Sequence, residues 1–484
     1  MAPTLTRLDA LEALAATVQD DLRRLGEPAR PWPTTPAGVD HDVLIVGAGQ
    51  CGLAAAFALK RAGIGNLGIV SADAAGQEGP WRSFARMPTL RSPKHAPGPE
   101  LGLPSLAYES WHVACYGQRD YAALDLIRTE DWARYLDWFR SVTGLSIDQG
   151  RRMTALSGNE ASVRAQFADG GALTARQVVL ATGMAALGAP RMPDLYKALP
   201  ETIRLSCYDG IDFSIMIDKR VAIIGAGSTA FDNAAAALET GAGSVDLYCR
   251  APDLRAINHM KGVSDYGAVA HWADFDDATR WRLARLGLSR AAPPIRPTVE
   301  RATHFGNFRI LTNAAVTAAV AEGDRARLTA GGRDRRYDYV LIATGYGIDA
   351  AARPELSQVF AHMARWQDRF VPPAGGADAT LAAFPYLTPG FAFMERQPGA
   401  APWLVRLRLF AGPAVVSMGR IVGESGNLKY GVPRLATAIA QALALEDRTA
   451  LYERAAAYDT RETTPADYAA NVIDAATPPE SGSI

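Results

Sequence analysis

Apolar positions along the chain change period wherever glycines gather. Between residues 4 and 26, Leu8, Leu11, Leu14, Ala15 and Val18 recur at helical spacing, and Asp20, Asp21, Arg23 and Arg24 close the segment. This predicts an amphipathic helix that can either cover a core or join subunits of a homo-oligomer. A proline-rich stretch at 28–36 ends it and reads as a linker or strap. A strand at 43–46 then runs into Gly47-Ala48-Gly49-Gln50-Cys51-Gly52, an alanine-rich helix to about Ala62, and a second strand at 67–70. The unit recurs with a strand at 221–224, Gly225-Ala226-Gly227-Ser228-Thr229-Ala230, a second alanine-rich helix and a strand at 244–249. Each unit is followed by an apolar strand ending in Ala-Thr-Gly: Ala181-Thr182-Gly183 and Ala343-Thr344-Gly345. This paired order is more specific than any of its parts. Prolines punctuate the chain after Gly345, a helix is predicted over 432–445 behind Gly431 and Pro433, and the segment 463–484 reads as a loosely held tail.

The glycines point to dinucleotides. Gly47 permits a tight turn, Gly49 lets backbone approach a pyrophosphate, and Gly52 lets helix pack close to strand. The helix N-terminus then offers free N–H groups and partial positive charge to the phosphates. An acidic residue usually ends the second strand to hold the ribose. Here Ser71 stands there, with Asp73 two residues on, so either Ser71 makes one weaker bond or Asp73 reaches back. In the second unit Ala230 replaces the third glycine, and the strand carrying Asp246 finishes at Arg250, with Arg255 close behind. A guanidinium there suits a 2′-phosphate, which favours NADPH over NADH.

Composition narrows the class. The 484 residues suggest two or three domains, with 48% hydrophobic and 21% charged residues. A net charge of −1 without a long basic run gives no reason to expect nucleic acid. Asp9, Glu12 and Asp20 interrupt any signal-peptide core, and no run approaches the roughly 18 apolar residues of a membrane span. The expectation is a cytoplasmic protein without a membrane partner. Cys51, Cys115, Cys207 and Cys249 form no C-x-x-C and the seven histidines form no ligand pair, so no metal site is expected.

With these motifs in place, the chain resembles the class B flavin-dependent monooxygenases, the group of flavin-containing, Baeyer–Villiger and N-hydroxylating enzymes. The resemblance covers nearly everything after residue 40. It rests on both glycine motifs, both Ala-Thr-Gly strands, Glu78-Gly79-Pro80-Trp81, Met87-Pro88-Thr89-Leu90-Arg91-Ser92-Pro93-Lys94 and Ala343-Thr344-Gly345-Tyr346. Arg204-Leu205-Ser206-Cys207-Tyr208 departs from the group's F-x-G-x-x-x-H pattern, with Leu205 at the histidine's place. That departure points away from the flavin-containing and Baeyer–Villiger branches.

The resemblance implies an α/β fold of two Rossmann-like domains, the NADPH domain inserted into the FAD domain. Residues 1–37 would form the helix and linker, 38–195 and 346–484 the FAD domain, and 196–345 the NADPH domain. Gly47, Gly49, Gly52, Ser71, Trp81, Thr89 and Ser92 are the expected FAD contacts. Gly225, Gly227, Ser228, Thr229, Arg250, Thr344 and Gly345 complete the cofactor set. Arg91 and Lys94 are the candidate catalytic side chains beside the flavin. In this group NADPH reduces the flavin, O2 adds as a C4a-(hydro)peroxyflavin, and oxygen passes to a small substrate, so few acid–base side chains are needed.

For the substrate, Arg406, Arg408, Arg420 and Lys429 lie in mostly apolar segments after Gly345. Arg408, Arg420 and Lys429 are taken as candidate substrate ligands. Buried arginines need anionic partners, and a substrate carboxylate would serve. The resulting expectation is N-hydroxylation of an anionic amine such as aspartate; pairing of these residues with Asp, Glu or FAD phosphates is the plainer reading. Baeyer–Villiger or S-oxygenation, an NADPH–flavin reductase, and a non-catalytic nucleotide sensor are the competing classes.

Overall fold

The computed structural model describes residues 5–96, 98–289, 292–422, 424–473 and 476. Two sheets organise it. In the first, Leu67–Val70, His41–Val46, Ala172–Leu180 and Leu407–Leu409 run parallel. Their apolar residues are buried on both faces, as a covered parallel sheet requires. The N-terminal half of Ala172–Leu180 also pairs antiparallel with Val163–Phe167, which pairs with Met153–Gly158. Val163–Phe167 alternates buried and exposed positions because one face of this meander meets water. Helices Gln50–Arg61 and Leu428–Glu446 pack against each other over the first sheet.

The second sheet is wholly parallel, in the order Phe308–Leu311, Ser244–Tyr248, Arg220–Ile224, Tyr339–Ile342 and Arg204–Ser206. An antiparallel ribbon of Val316–Glu322, Arg325–Ala330 and Arg333–Tyr337 accompanies it. The chain crosses between the sheets twice, and the crossings pair with each other: Gly188–Pro190 runs antiparallel to Tyr346–Ile348. A Cβ on Gly188 would lie 1.9 Å from the Gly347 carbonyl oxygen, so this double connection closes only around glycine.

The amphipathic helix, Leu5–Arg24, docks on the core: it lies against Pro104–Leu106 and Tyr108–Tyr116, buries Val18 and Leu22, and donates from Gln19 to the Val142 carbonyl. The strap behind it is pinned, with Trp32 Nε1 donating to Ala62 O (2.8 Å) and the Thr34 N–H to Asp447 (2.8 Å). The C-terminal helix begins at Leu428, earlier than its sequence pattern suggests, and Pro433 lies inside it. As the sixth residue it lies past the first turn, so it removes the intrahelical bond that its N–H would have made to Lys429 O. Gly431 is needed because a Cβ would meet Ile421 O at 2.4 Å. Residues 463–473 are exposed; the rest of the expected tail, apart from 476, lies outside the described residues.

One arrangement has no forerunner in the sequence pattern. Helices Tyr266–Ala270 and Asp277–Ser289 follow the second sheet's strand Ser244–Tyr248 in the chain, yet this segment docks beside the first sheet. Trp272 Nε1 donates to Val416 O and Arg280 to Ser417 O, while Met260, Trp272 and Trp281 share an apolar cluster with Trp366, Leu381 and Val416. Among the described residues no helix is long and apolar enough to cross a membrane, and no group of three His, Cys, Asp or Glu is placed to hold a metal.

Candidate functional site

Both fingerprints form the same turn. Gly47 has φ +107° and its N–H donates to Val70 O (2.8 Å), while the Ala181 N–H donates to Val46 O (2.8 Å). Gly225 has φ +130°, donates to Tyr248 O (3.2 Å), and lies beside Ala343, whose N–H donates to Ile224 O (2.9 Å). A Cβ on Gly52 would lie 1.9 Å from Gly47 O, so helix and turn touch only through glycine. The middle glycines behave differently. A Cβ on Gly49 would meet nothing nearer than the Gly79 Cα at 3.9 Å, and one on Gly227 would meet no described atom within 4 Å. Each is the N-cap of its helix, and neither helix has a side-chain cap. Two sets of first-turn N–H groups therefore face open cradles, the arrangement that receives a pyrophosphate. Ala230 is fully buried at the third-glycine place, with Ser228 and Thr229 half-buried at the cradle rim.

A cavity beside the first cradle is lined by Ala48, Leu53, Gly76, Glu78, Trp81 and Arg82. The Trp81 Nε1–H is buried there without a partner among the described residues, and so is the Thr182 hydroxyl beyond the Ala181 turn. Buried donors are rarely left so, and a ligand on the cradle would meet them. The residues present thus fit a dinucleotide. Ser71 is buried and its hydroxyl accepts the Asp73 N–H (3.2 Å), so it shapes the turn after its strand. Asp73 stands exposed at that strand's end.

Thr89–Pro93 pairs with Leu126–Arg128, placing Thr89 opposite Arg128 and leaving Ser92 half-buried. Both candidate catalytic side chains on this segment are already engaged. Lys94 donates to the carbonyls of Tyr121 (2.8 Å) and Ala122 (3.0 Å) and stands over the Tyr121 ring. Arg91 donates to Asp232 Oδ2 (2.5 Å), on the helix Ser228–Thr240 of the second fingerprint. Burial pushes the Asp232 carboxyl up, and Arg91, Arg301 and Thr298 pull it back. At the second cradle Tyr208 packs on Tyr346 with ring centroids 4.5 Å apart. Burial raises the Tyr208 phenol, against hydrogen bonds from the Thr229 side chain and the Gly345 backbone. Thr344 donates to Arg191 O (2.5 Å), and the Arg191 N–H donates to Gly345 O (2.7 Å), clamping the turn.

Asp232 and Tyr208 are the residues that motif reading passed over. A charged side chain inside the alanine-rich run after Ala230 was the available signal for Asp232. Tyr208 carries no local signal, because its partners lie elsewhere in the chain.

Asp246 is buried mid-strand, taken up by both Arg309 nitrogens (2.7 and 2.9 Å) and by the Tyr337 hydroxyl (2.5 Å). Arg250 is exposed just beyond the strand end, and so is Arg255. The three candidate substrate residues each have a different partner. Arg408 is buried and donates to Gly390 O, Gln177 Oε1 and Ala438 O; burial pushes its guanidinium down to about 10. Arg420 is paired with Glu424, and Lys429 is exposed over the Tyr430 ring. Neutral oxygens take up the two terminal nitrogens of Arg408, while its Nε–H is buried without a partner among the described residues.

The family described as pyridine nucleotide-disulphide oxidoreductase matches residues 41–360. An FAD-dependent urate hydroxylase of Xanthomonas campestris pv. campestris is 35% identical over 459 residues, 94% of this chain and 97% of the relative. In architecture the chain is similar to an ornithine N-hydroxylase from Kutzneria sp. 744, solved with reduced FAD, NADP+ and L-ornithine. That match has a TM-score of 0.64 at 16% identity and covers 83% of this chain and 99% of that one. An L-lysine 6-monooxygenase from Pseudomonas syringae matches with a TM-score of 0.63 at 18% identity, over 83% and 99% of the two chains. At these identities the two structures speak to the fold alone.

Proposed function

The chain belongs to the pyridine nucleotide-disulphide oxidoreductase family, and on that premise we propose that it is an FAD- and NADPH-dependent monooxygenase that hydroxylates urate or a closely related small, planar anion. The observation that carries this reading is the 35% identity, nearly end to end, to an FAD-dependent urate hydroxylase. Residues 38–195 and 346–484 would hold FAD, and 196–345 NADPH.

When bound, NADPH supplies two electrons and FAD the activation of O2. The chain's own work is placement. The N–H groups above Gly49 and Gly227 would bind the two pyrophosphates, and Trp81 Nε1 would donate to the first dinucleotide. Arg250, exposed beyond the strand end, would pair with the 2′-phosphate, and Tyr208 holds Thr229 in place beside the second cradle. Few acid–base side chains are needed for this chemistry.

The acidic-amine reading rested on Arg408, Arg420 and Lys429, and their separate partners leave it without a gathered anion site. Urate replaces aspartate as the first substrate to test because of the identity to an FAD-dependent urate hydroxylase. The FAD-loaded protein is mixed with NADPH in air, with urate or aspartate, while NADPH, O2 and urate absorbance are followed. Urate is expected to accelerate NADPH and O2 consumption and to be consumed in proportion. NADPH oxidation indifferent to every substrate but fast with an external electron acceptor would overturn the reading in favour of a reductase.

A further inference from the structure

We infer that Arg91 and Asp232 form a latch that holds the NADPH-side fingerprint helix in register with the flavin-side strand, making both positioning residues for reduction of FAD by NADPH. The inference rests on the two-cofactor reading above. The reaction it serves is balanced as NADPH + FAD + H+ giving NADP+ + FADH2.

The two residues sit on elements that each carry a cofactor contact. Asp232 lies four residues after Ser228, in the helix whose first N–H groups open onto the second cradle. Arg91 lies between Thr89 and Ser92 on Thr89–Pro93. Their 2.5 Å contact joins positions 141 residues apart. It is reinforced along the same seam. Arg301 grips Glu239, two turns further along the Asp232 helix, through Nε and Nη2 at 2.6 Å each, and its Nη1 donates to Arg86 O at 2.8 Å. Arg86 in turn donates to Asp209 O at 2.6 Å. Residues 86–91 are thus held at both ends by the NADPH side.

The placement of the charge argues for register over stability. The rest of the buried helix face is Ala230, Phe231, Ala234, Ala235, Ala237 and Leu238, with Asn233 alongside. A carboxylate with a side chain only 4% exposed is costly there, and an apolar residue would commonly serve stability as well or better. A short hydrogen-bonded charge pair adds one fixed point of register to the packing of helix against strand. Because a misplacement of about 1 Å between reacting groups can cost about 100-fold in rate, sliding at this seam acts directly on electron delivery.

The test uses the full-length, FAD-loaded protein as wild type, Asp232→Asn, Arg91→Met, the double variant and Arg91→Lys. Two quantities are read: anaerobic flavin reduction at saturating NADPH, and amide hydrogen exchange of residues 86–93 and 228–235 without nucleotide. Each single variant is expected to reduce about 10- to 100-fold more slowly, with NADP+ affinity within about threefold of wild type. Exchange at the seam should accelerate, the double variant should lose no more than the worse single one, and Arg91→Lys should recover part of the rate. Folded Arg91→Met protein with a reduction rate within twofold of wild type and unchanged exchange would overturn the latch. Should Asp232→Asn not fold, Arg91→Met decides, since that side chain is 37% exposed. A wild type that NADPH does not reduce would refute the two-cofactor reading instead, and the exchange data would still test the latch.

Discussion

The carbonyl oxygen of Ala181 lies 2.5 Å from where a Cβ on Gly47 would be. Strand end and turn are therefore two halves of one fitting: the first Ala-Thr-Gly fills the space that the first glycine vacates. Ala343 O stands in the same relation to Gly225, again at 2.5 Å. The repeated order of fingerprint and Ala-Thr-Gly along the chain follows from this contact.

The glycines should separate fold from binding. Gly225→Ala meets backbone at 2.5 Å and requires φ +130°, so it should sharply reduce the yield of folded protein. Gly227→Ala has an ordinary φ of −89° and no described atom within 4 Å. It should leave nucleotide-free stability within about 1 kcal/mol while weakening NADP+ binding about tenfold or more. Thermal unfolding and NADP+ titration of the two variants check the contrast.

Arg250 and Asp246 should differ in kind. Arg250→Ala is expected to raise KM for NADPH about tenfold and leave KM for NADH nearly unchanged, from loss of a charge-assisted bond to the 2′-phosphate. Asp246→Asn should leave the NADPH-to-NADH ratio unchanged and lower stability, because the charge opposite Arg309 is lost and an amide NH2 replaces one of the two oxygens that Arg309 and Tyr337 share. Steady-state kinetics with both nucleotides, alongside unfolding curves, distinguishes them.

Arg176 ties the strap and the C-terminal helix to the first sheet. Its side chain, 2% exposed, pairs with Asp42, Glu446 and Asp447 and donates to Thr34 O. Arg176→Met leaves two buried carboxylates without their cation and should cost about 3–5 kcal/mol. Denaturant unfolding followed by flavin fluorescence reads the loss.

Glu100 should impose a pH dependence. Burial pushes its carboxyl above the ordinary 4.5, partly offset by backbone N–H groups, including that of Gly98 (2.6 Å), and by Lys429. The folded state then holds the proton more tightly than the unfolded state. That contribution to stability is fully present below the unfolded value and is lost as pH rises through the raised folded value. Glu100→Gln should flatten the fall in stability above pH 4.5, as measured by denaturant unfolding across that range.

The cofactor cradles were legible in sequence because their requirements are local. A positive φ at Gly47 and Gly225, a Cβ-free approach at Gly49 and Gly227, and an uncapped helix start each depend on a few consecutive residues. The apolar periods likewise marked the two strand–turn–helix–strand units and an amphipathic first helix. Side-chain partnerships were a different matter. Arg91, Arg176 and Arg408 are the same residue type, and nothing near them in the chain distinguishes an ion pair between a strand and a helix 141 residues away, a buried guanidinium among three carboxylates and a set of neutral oxygens. Nor did the pattern at 259–289 reveal that Trp272 and Trp281 would join Trp366 and Val416 beside the other sheet. By itself, then, the sequence determined the backbone of the two cradles. Only the tertiary structure decided which charges met across them, because a guanidinium's partner depends on which distant segments folding brings within about 3 Å of it.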